Sequence, residues 1–203
     1  MSGRCSLCPA INSMSGKVLL HICCGPCAVY PLKVLKEKGY EVMGLYYNPN
    51  IHPLKEYLRR AGSAEKAARS LGIRIIRLDK EYDPQKFLRM MIFREEQRCF
   101  LCYQYRLERT RNMALKGGFD YFTSTLLFSK RQKHDLIRSV GESLGKEKCA
   151  FLYEDFRQGW REGRKTADDM ELYKQDYCGC IYSEFERFRN ELFGDNQGGE
   201  DSA

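Results

Sequence analysis

Five short apolar runs alternate with amphipathic segments along this chain, and that alternation restricts the fold more than any other feature. Lys17 to Ile22 reads as a first strand, and Ala28, Leu32 and Leu35 mark the buried face of a helix that Gly39 ends. Glu41 to Tyr47 is a second strand. The turn-rich Asn48-Pro49-Asn50-Ile51-His52-Pro53 follows, leading into Leu54, Leu58, Ala61, Ala64, Ala68 and Leu71 at helical spacing. Ile73 to Leu78 is a third strand, after which Asp83-Pro84 has the form of a helix cap and first helical position. Arg94 to Lys116 is a long helix with Phe100, Tyr103, Leu107, Thr110 and Ala114 as its core stripe, and Phe119 to Thr123 is a fourth strand. Lys133, Ile137, Val140 and Leu144 outline another helix before a fifth strand at Lys148 to Tyr153. Strands alternating with helices predict an α/β fold: a mostly parallel, doubly wound sheet with helices on both faces, followed by an extra helical segment.

In such sheets ligands gather beyond the carboxyl ends of the strands. The first strand ends in His21-Ile22-Cys23-Cys24-Gly25-Pro26-Cys27, which sets three thiols at the active edge. Gly25 permits a tight reversal and Pro26 suits the first turn of a helix, so the cysteines lie at a helix N-terminus. Unpaired backbone N–H groups and the helix dipole favour thiolate there. Thiolates bind metals and attack disulfides, and the rest of the chain must decide between those chemistries.

The chain has 203 residues, ten of them cysteine. No apolar run approaches the roughly 18 to 20 residues of a membrane span, and the N-terminus lacks the apolar block of a signal peptide. The expected location is the cytoplasm, where clustered cysteines point to metal or redox use rather than structural disulfides. The expected organisation is a mobile tail at 1–16 carrying Cys5 and Cys8, one α/β domain at 17–193, and a disordered glycine-rich tail at 194–203. A net charge of +7 is compatible with a polyanionic partner.

Cys24-Gly-Pro-Cys27 is also the tetrapeptide of thioredoxin-like thiol-disulfide oxidoreductases. Two further groups, Cys99/Cys102 and Cys178/Cys180, and the extra Cys23 favour a metal over that reading. Paired cysteines serve zinc or an iron-sulfur cluster equally well, and a zinc-stabilised nucleic-acid-binding protein is the third alternative. One four-coordinate centre leaves three of the seven thiols over, which suggests a second metal or a redox pair. Cys99, Cys102, Arg106 and Arg109 share one stripe of the long helix, a face suited to a metal beside an anion.

Five blocks of the sequence resemble the QueH family of epoxyqueuosine reductases: Leu20 to Cys27; Tyr47 to Pro53 with Glu56, Tyr57 and Arg60; Arg98 to Tyr103 with Arg106; Thr125-Leu-Leu127; and Tyr173 to Ser183 with its Cys-Gly-Cys. The resemblance spans roughly residues 17 to 190 in the same order. It implies a Rossmann-like fold of the PP-loop (HUP-like) kind, with the cysteine turn where PP-loop proteins carry a phosphate loop. It also implies two-electron reductive deoxygenation of epoxyqueuosine to queuosine at the tRNA wobble position, using iron-sulfur chemistry. On this basis Cys23, Cys24, Cys99 and Cys102 are expected to hold a 4Fe-4S cluster. Cys27, Cys178 and Cys180 become candidates for an additional iron or for a redox pair, so all seven are candidate metal ligands. The expected partners are tRNA carrying epoxyqueuosine, bound by its anticodon loop, and an external electron donor.

Asn48, Asn50, Glu56 and Tyr57 follow strand two and are candidates to bind the modified base or donate a proton, with Glu56 and Tyr57 placed among the catalytic candidates. Asp155 and Asp176 are candidate carboxylates for a coordination shell, and His21, inside an apolar strand, reads as a core histidine. Arg106, Arg109, Lys130, Arg131, Lys133, Arg157, Arg161, Arg164 and Lys165 are candidate phosphate contacts. Phe156, Trp160 and Tyr177 are candidates for stacking on splayed bases.

Overall fold

The computed structural model describes residues 16–194. The expectations for residues 1–15, Cys5 and Cys8 among them, and for 195–203 lie outside the described residues. Five strands, β1 Lys17–His21, β2 Glu41–Tyr46, β3 Ile75–Arg77, β4 Tyr121–Ser124 and β5 Ala150–Phe151, form one sheet in the order β3-β2-β1-β4-β5. Every pairing is parallel, with His21 opposite Leu45 on one side and Ser124 on the other. Val18, Leu19 and Leu20 are all fully buried. Successive strand residues point to opposite faces, so β1 is covered on both.

The helices that cover it form two groups. α1 (Gly25–Glu37) packs on α2 (Leu54–Ser70) and α6 (Trp160–Asp169), while α4 (Arg98–Lys116) packs on α5 (His134–Leu144). α3 (Pro84–Met91) is capped by Asp83, whose side chain accepts from the Lys86 N–H, and α7 (Ile181–Phe193) is the last element. α1 and α2 approach closely at Gly25, where a Cβ would sit 2.5 Å from the Ser63 carbonyl oxygen. The chain thus runs outward from β1 through β2 to β3 and returns to β4 on the other side of β1. The order reverses between β1 and β4, and a crevice opens there beyond the strand ends.

Three local expectations change. The sequence stripe puts Leu54 and Leu58 inward on α2, but they are 53% and 50% exposed, and the helix instead buries Glu56, Tyr57, Arg60 and Ser63 beside its alanines. α4 begins at Arg98 rather than Arg94, because Glu95–Gln97 forms a separate single turn, and Phe100 faces outward. The segment after β5 divides into α6, an irregular stretch at 170–180 and α7.

Candidate metal centre and active site

The cysteine turn occupies the point where the sheet order reverses. The Cys23 N–H donates to Thr125 Oγ1 at 3.0 Å, and that hydroxyl donates to Cys23 Sγ at 3.2 Å, tying the loop after β1 to the loop after β4. Cys24 is the extended N-cap residue of α1. The sulfurs of Cys23, Cys24 and Cys27 all lie within 4.8 Å of one another, close enough to share one metal centre.

Their protonation is uneven. Thiol hydrogen bonds from Cys24 and Cys27 hold the Cys23 thiol well below its usual range. Burial pushes Cys24 up, and its hydrogen bond to Cys23 adds to the rise. Cys27 is also raised, first by hydrogen bonding to Cys23. The helix N-terminus therefore does not ionise all three, because burial outweighs its dipole at Cys24. A metal binding all three must displace the protons favoured on Cys24 and Cys27.

Cys99 and Cys102 do not join this triad directly. They line a neighbouring cavity of about 210 Å³ with Cys178 and Cys180. A larger cavity of about 570 Å³ is lined by Cys23, Cys27 and again Cys178. Cys178 and Gln132 belong to both walls, and Gln132 Nε2 donates to Cys178 Sγ at 3.4 Å. Burial pushes the Cys102 thiol up to about 12.

Arg106 connects the two groups. It is 1% exposed, donates through Nη1 to Cys102 Sγ at 3.7 Å and through Nη2 to Asn48 Oδ1 at 2.6 Å, and pairs with no carboxylate among the described residues. A buried guanidinium without an anion is costly. The sulfurs of Cys102, Cys23 and Cys178 lie within its electrostatic reach, and Cys23 is the one whose thiolate form is favoured. A set of soft sulfur donors facing a buried cation fits a metal-thiolate centre.

The stretch at 173–180 is held over the triad by a buried ion pair. Arg60 Nε donates to Glu56 Oε1 at 2.6 Å, while its two Nη groups donate to the carbonyls of Cys178 and Tyr177 at 2.8 and 3.2 Å. The Tyr173 hydroxyl donates to Glu56 Oε2 at 2.6 Å. Gly179 has φ +140°, and a Cβ there would meet Ile51 at 3.0 Å and Arg60 Nη1 at 3.2 Å. Only glycine fits the middle of this Cys-Gly-Cys.

A family model described as epoxyqueuosine reductase QueH matches residues 18–186. The chain belongs to that family. It is 36% identical over 176 residues to the epoxyqueuosine reductase QueH of Dehalococcoides mccartyi, covering 86% of this chain and 96% of that protein. It is 34% identical over 182 residues to that of Staphylococcus epidermidis, covering 82% and 76%, and 32% identical over 181 residues to that of Thermotoga maritima, covering 85% and 92%. Among solved structures, a predicted subunit of a tRNA methyltransferase from Methanocaldococcus jannaschii aligns with TM-score 0.47 at 17% identity, covering 75% of this chain and 76% of that one.

Several other candidates of this QueH-family chain have different places from those expected. Glu56 and Tyr57 line neither cavity. Glu56 is taken by Arg60 and Tyr173, and the Tyr57 hydroxyl donates to Asp79 at 2.7 Å among the rings of Tyr46 and Tyr82. Asp155 is held by Arg157 at 2.7 Å, away from both cavities, whereas Asp176 lines the larger one. Phe156 is buried and cannot stack on a base, but Trp160 and Tyr177 line the larger cavity. Arg109 is paired with Glu81. Arg131 and Arg164 do reach the larger cavity, and Lys133 reaches the smaller, while Lys130, Arg161 and Lys165 are exposed elsewhere. His21 is the satisfied core histidine expected, with Nδ1 2.8 Å from Ser124 Oγ and Nε2 3.1 Å from the Tyr47 carbonyl. Asn50 lies in the wall of the smaller cavity with Oδ1 unpartnered.

Lys174, Gln175 and Arg187 line the larger cavity without having been singled out in the sequence. Lys174 and Gln175 fall inside the Tyr173 to Ser183 block, which is the signal that could have found them. A thiol-disulfide oxidoreductase needs an accessible attacking thiol, and the fully buried Cys24 does not provide one in the Cys24/Cys27 pair.

Proposed function

We propose that this chain is an epoxyqueuosine reductase that acts on epoxyqueuosine at the wobble position of tRNA. The observation that carries the reading is the close thiol triad at the β1/β4 crevice, with Cys23 and Cys27 in the wall of an arginine-rich cavity, in a chain of this family. In the reaction both C–O bonds of the epoxide break and a carbon–carbon double bond forms. The oxygen leaves as water with two protons, and two electrons come from an external donor.

A 4Fe-4S cluster held by Cys23, Cys24, Cys99 and Cys102 supplies those electrons one at a time when bound. Cys27, Cys178 and Cys180 remain for an additional iron or for a dithiol that takes electrons from the donor. The chain's own residues bind and orient. Arg131, Arg164 and Arg187 line the larger cavity and suit the phosphates of an anticodon loop. Trp160 and Tyr177 lie in its wall with Arg164 and Arg60 over their rings at 5.8 and 4.9 Å, and a splayed base would stack on the side of each ring that its guanidinium leaves open. Cys24 and Arg106 are sealed from water, so charge at the thiols acts in a poorly screened setting. The reading places a single catalytic domain at 17–193 in the cytoplasm, and no described helix is long and apolar enough to cross a membrane.

Expression in a bacterial strain that lacks its own epoxyqueuosine reductase tests the proposal. Nucleosides from its tRNA should change from epoxyqueuosine to queuosine with the wild-type chain and stay unchanged with Cys23→Ser. Epoxyqueuosine that persists beside well-expressed wild-type protein contradicts it.

A further inference from the structure

Gln175 lies in the irregular stretch between α6 and α7, yet its side chain reaches the first turn of α1. Nε2 donates to Cys24 Sγ at 2.9 Å and stands 4.0 Å from Cys27 Sγ. The other end of the amide, Oε1, is sealed from solvent and has no hydrogen-bond partner. Burying an acceptor unpaired costs stability, and an apolar side chain of the same shape would avoid that cost. The amide is therefore fixed in place by its donor end, on a sulfur. Cys24 is fully buried, so water cannot replace the bond.

A neutral N–H aimed at a ligand sulfur stabilises the state in which that sulfur carries more electron density. At an iron-thiolate centre this is the reduced state, and hydrogen bonds to the sulfurs are among the factors that set such potentials. Cys23 has its own donor in Thr125 Oγ1, so the two adjacent cysteines are addressed by different elements. The donor to Cys24 belongs to the same stretch that carries Cys178 and Cys180. Movement of that stretch, as on substrate entry to the cavity Gln175 lines, would change the bond.

We propose that Gln175 is a positioning residue that raises the reduction potential of the metal centre on Cys24 through its amide-to-sulfur hydrogen bond. The inference rests on the reading of Cys24 as a ligand of an iron-sulfur centre. Holoprotein purified without oxygen, as wild type, Gln175→Leu and Gln175→Glu, is titrated with redox mediators while the reduced-cluster electron paramagnetic resonance signal is followed. Both variants should retain iron and sulfide and show at least a tenfold lower ratio of reduced to oxidised cluster at a given poise, which is 59 mV for one electron. Potentials equal to wild type overturn the assignment. So does loss of the cluster from both variants while circular dichroism shows the fold intact, since that would make Gln175 a structural support for loading. A wild-type chain with no iron-sulfur signal overturns the underlying reading itself, and so separates the two failures.

Discussion

Arg60 and Glu56, one helical turn apart on α2, form an ion pair at 2.6 Å with side chains only 2% and 7% exposed. The same guanidinium holds the carbonyls of Tyr177 and Cys178. A charge pair inside α2 thus fixes a loop 117 and 118 residues further along the chain. Removing one partner of a buried pair leaves the other charge uncompensated, at a cost of about 3–5 kcal/mol. Glu56→Ala should lower stability by that order in urea unfolding. Arg60→Met should release the Cys178–Cys180 loop as well, detected as faster alkylation of Cys178 and Cys180.

Gly179 gives a sharper test of that loop. Gly179→Ala forces a left-handed φ on a side chain that also meets Arg60 and Ile51, so about 1–3 kcal/mol of stability should be lost together with most of the activity. Gly62→Ala is the control. It lies within α2 with open space around the new Cβ and should stabilise the chain by about 1 kcal/mol. Thermal unfolding of the two variants should therefore shift in opposite directions.

Arg106 should govern metal loading more than folding. Arg106→Met keeps the apolar bulk but removes the buried positive charge near Cys23, Cys102 and Cys178. Iron affinity should then fall by about 10–100-fold, as when other outer-shell partners are lost. Iron per chain after dialysis against a graded chelator measures this, and unchanged retention would separate the guanidinium from the thiolate site.

The Asp155–Arg157 contact predicts a pH dependence with a definite sign. The Arg157 hydrogen bonds lower the Asp155 carboxyl to about 2. Its folded-state value is depressed, so the stabilisation is fully present above the usual carboxylate range and disappears as pH falls through about 2. Asp155→Asn should therefore be less stable than wild type at pH 6 and approach it only as pH falls below about 2. Urea midpoints at several pH values check the convergence.

The sheet was readable because each strand is an apolar run and each helix has a stripe, and both signals are local. The orientation of α2 was not. Its leucines and alanines suggest one inward face, but the later segment at 173–180 covers Glu56, Arg60 and Ser63 instead, and nothing in the local pattern announces so distant a partner. The seven cysteines proposed for the site were legible from clustering, while their grouping in space was not. Cys27 joins Cys23 and Cys24 because one turn of α1 carries it there, and Cys99/Cys102 meet Cys178/Cys180 because α4 packs beside the loop before α7. Gln175 carries no motif chemistry of its own, and only the fold brings it to a sulfur.

The central claim, that this thiol site at the β1/β4 crevice is a redox metal centre acting on a modified tRNA, is tested most directly with the purified chain. The protein is isolated without oxygen, assayed for iron and acid-labile sulfide, mixed with epoxyqueuosine-containing tRNA and a low-potential reductant, and the tRNA nucleosides are separated by mass. A brown protein that converts epoxyqueuosine to queuosine, with the loss of one oxygen per nucleoside, is the predicted result. A colourless zinc protein, or an iron-sulfur-loaded one that leaves epoxyqueuosine unchanged, would contradict it.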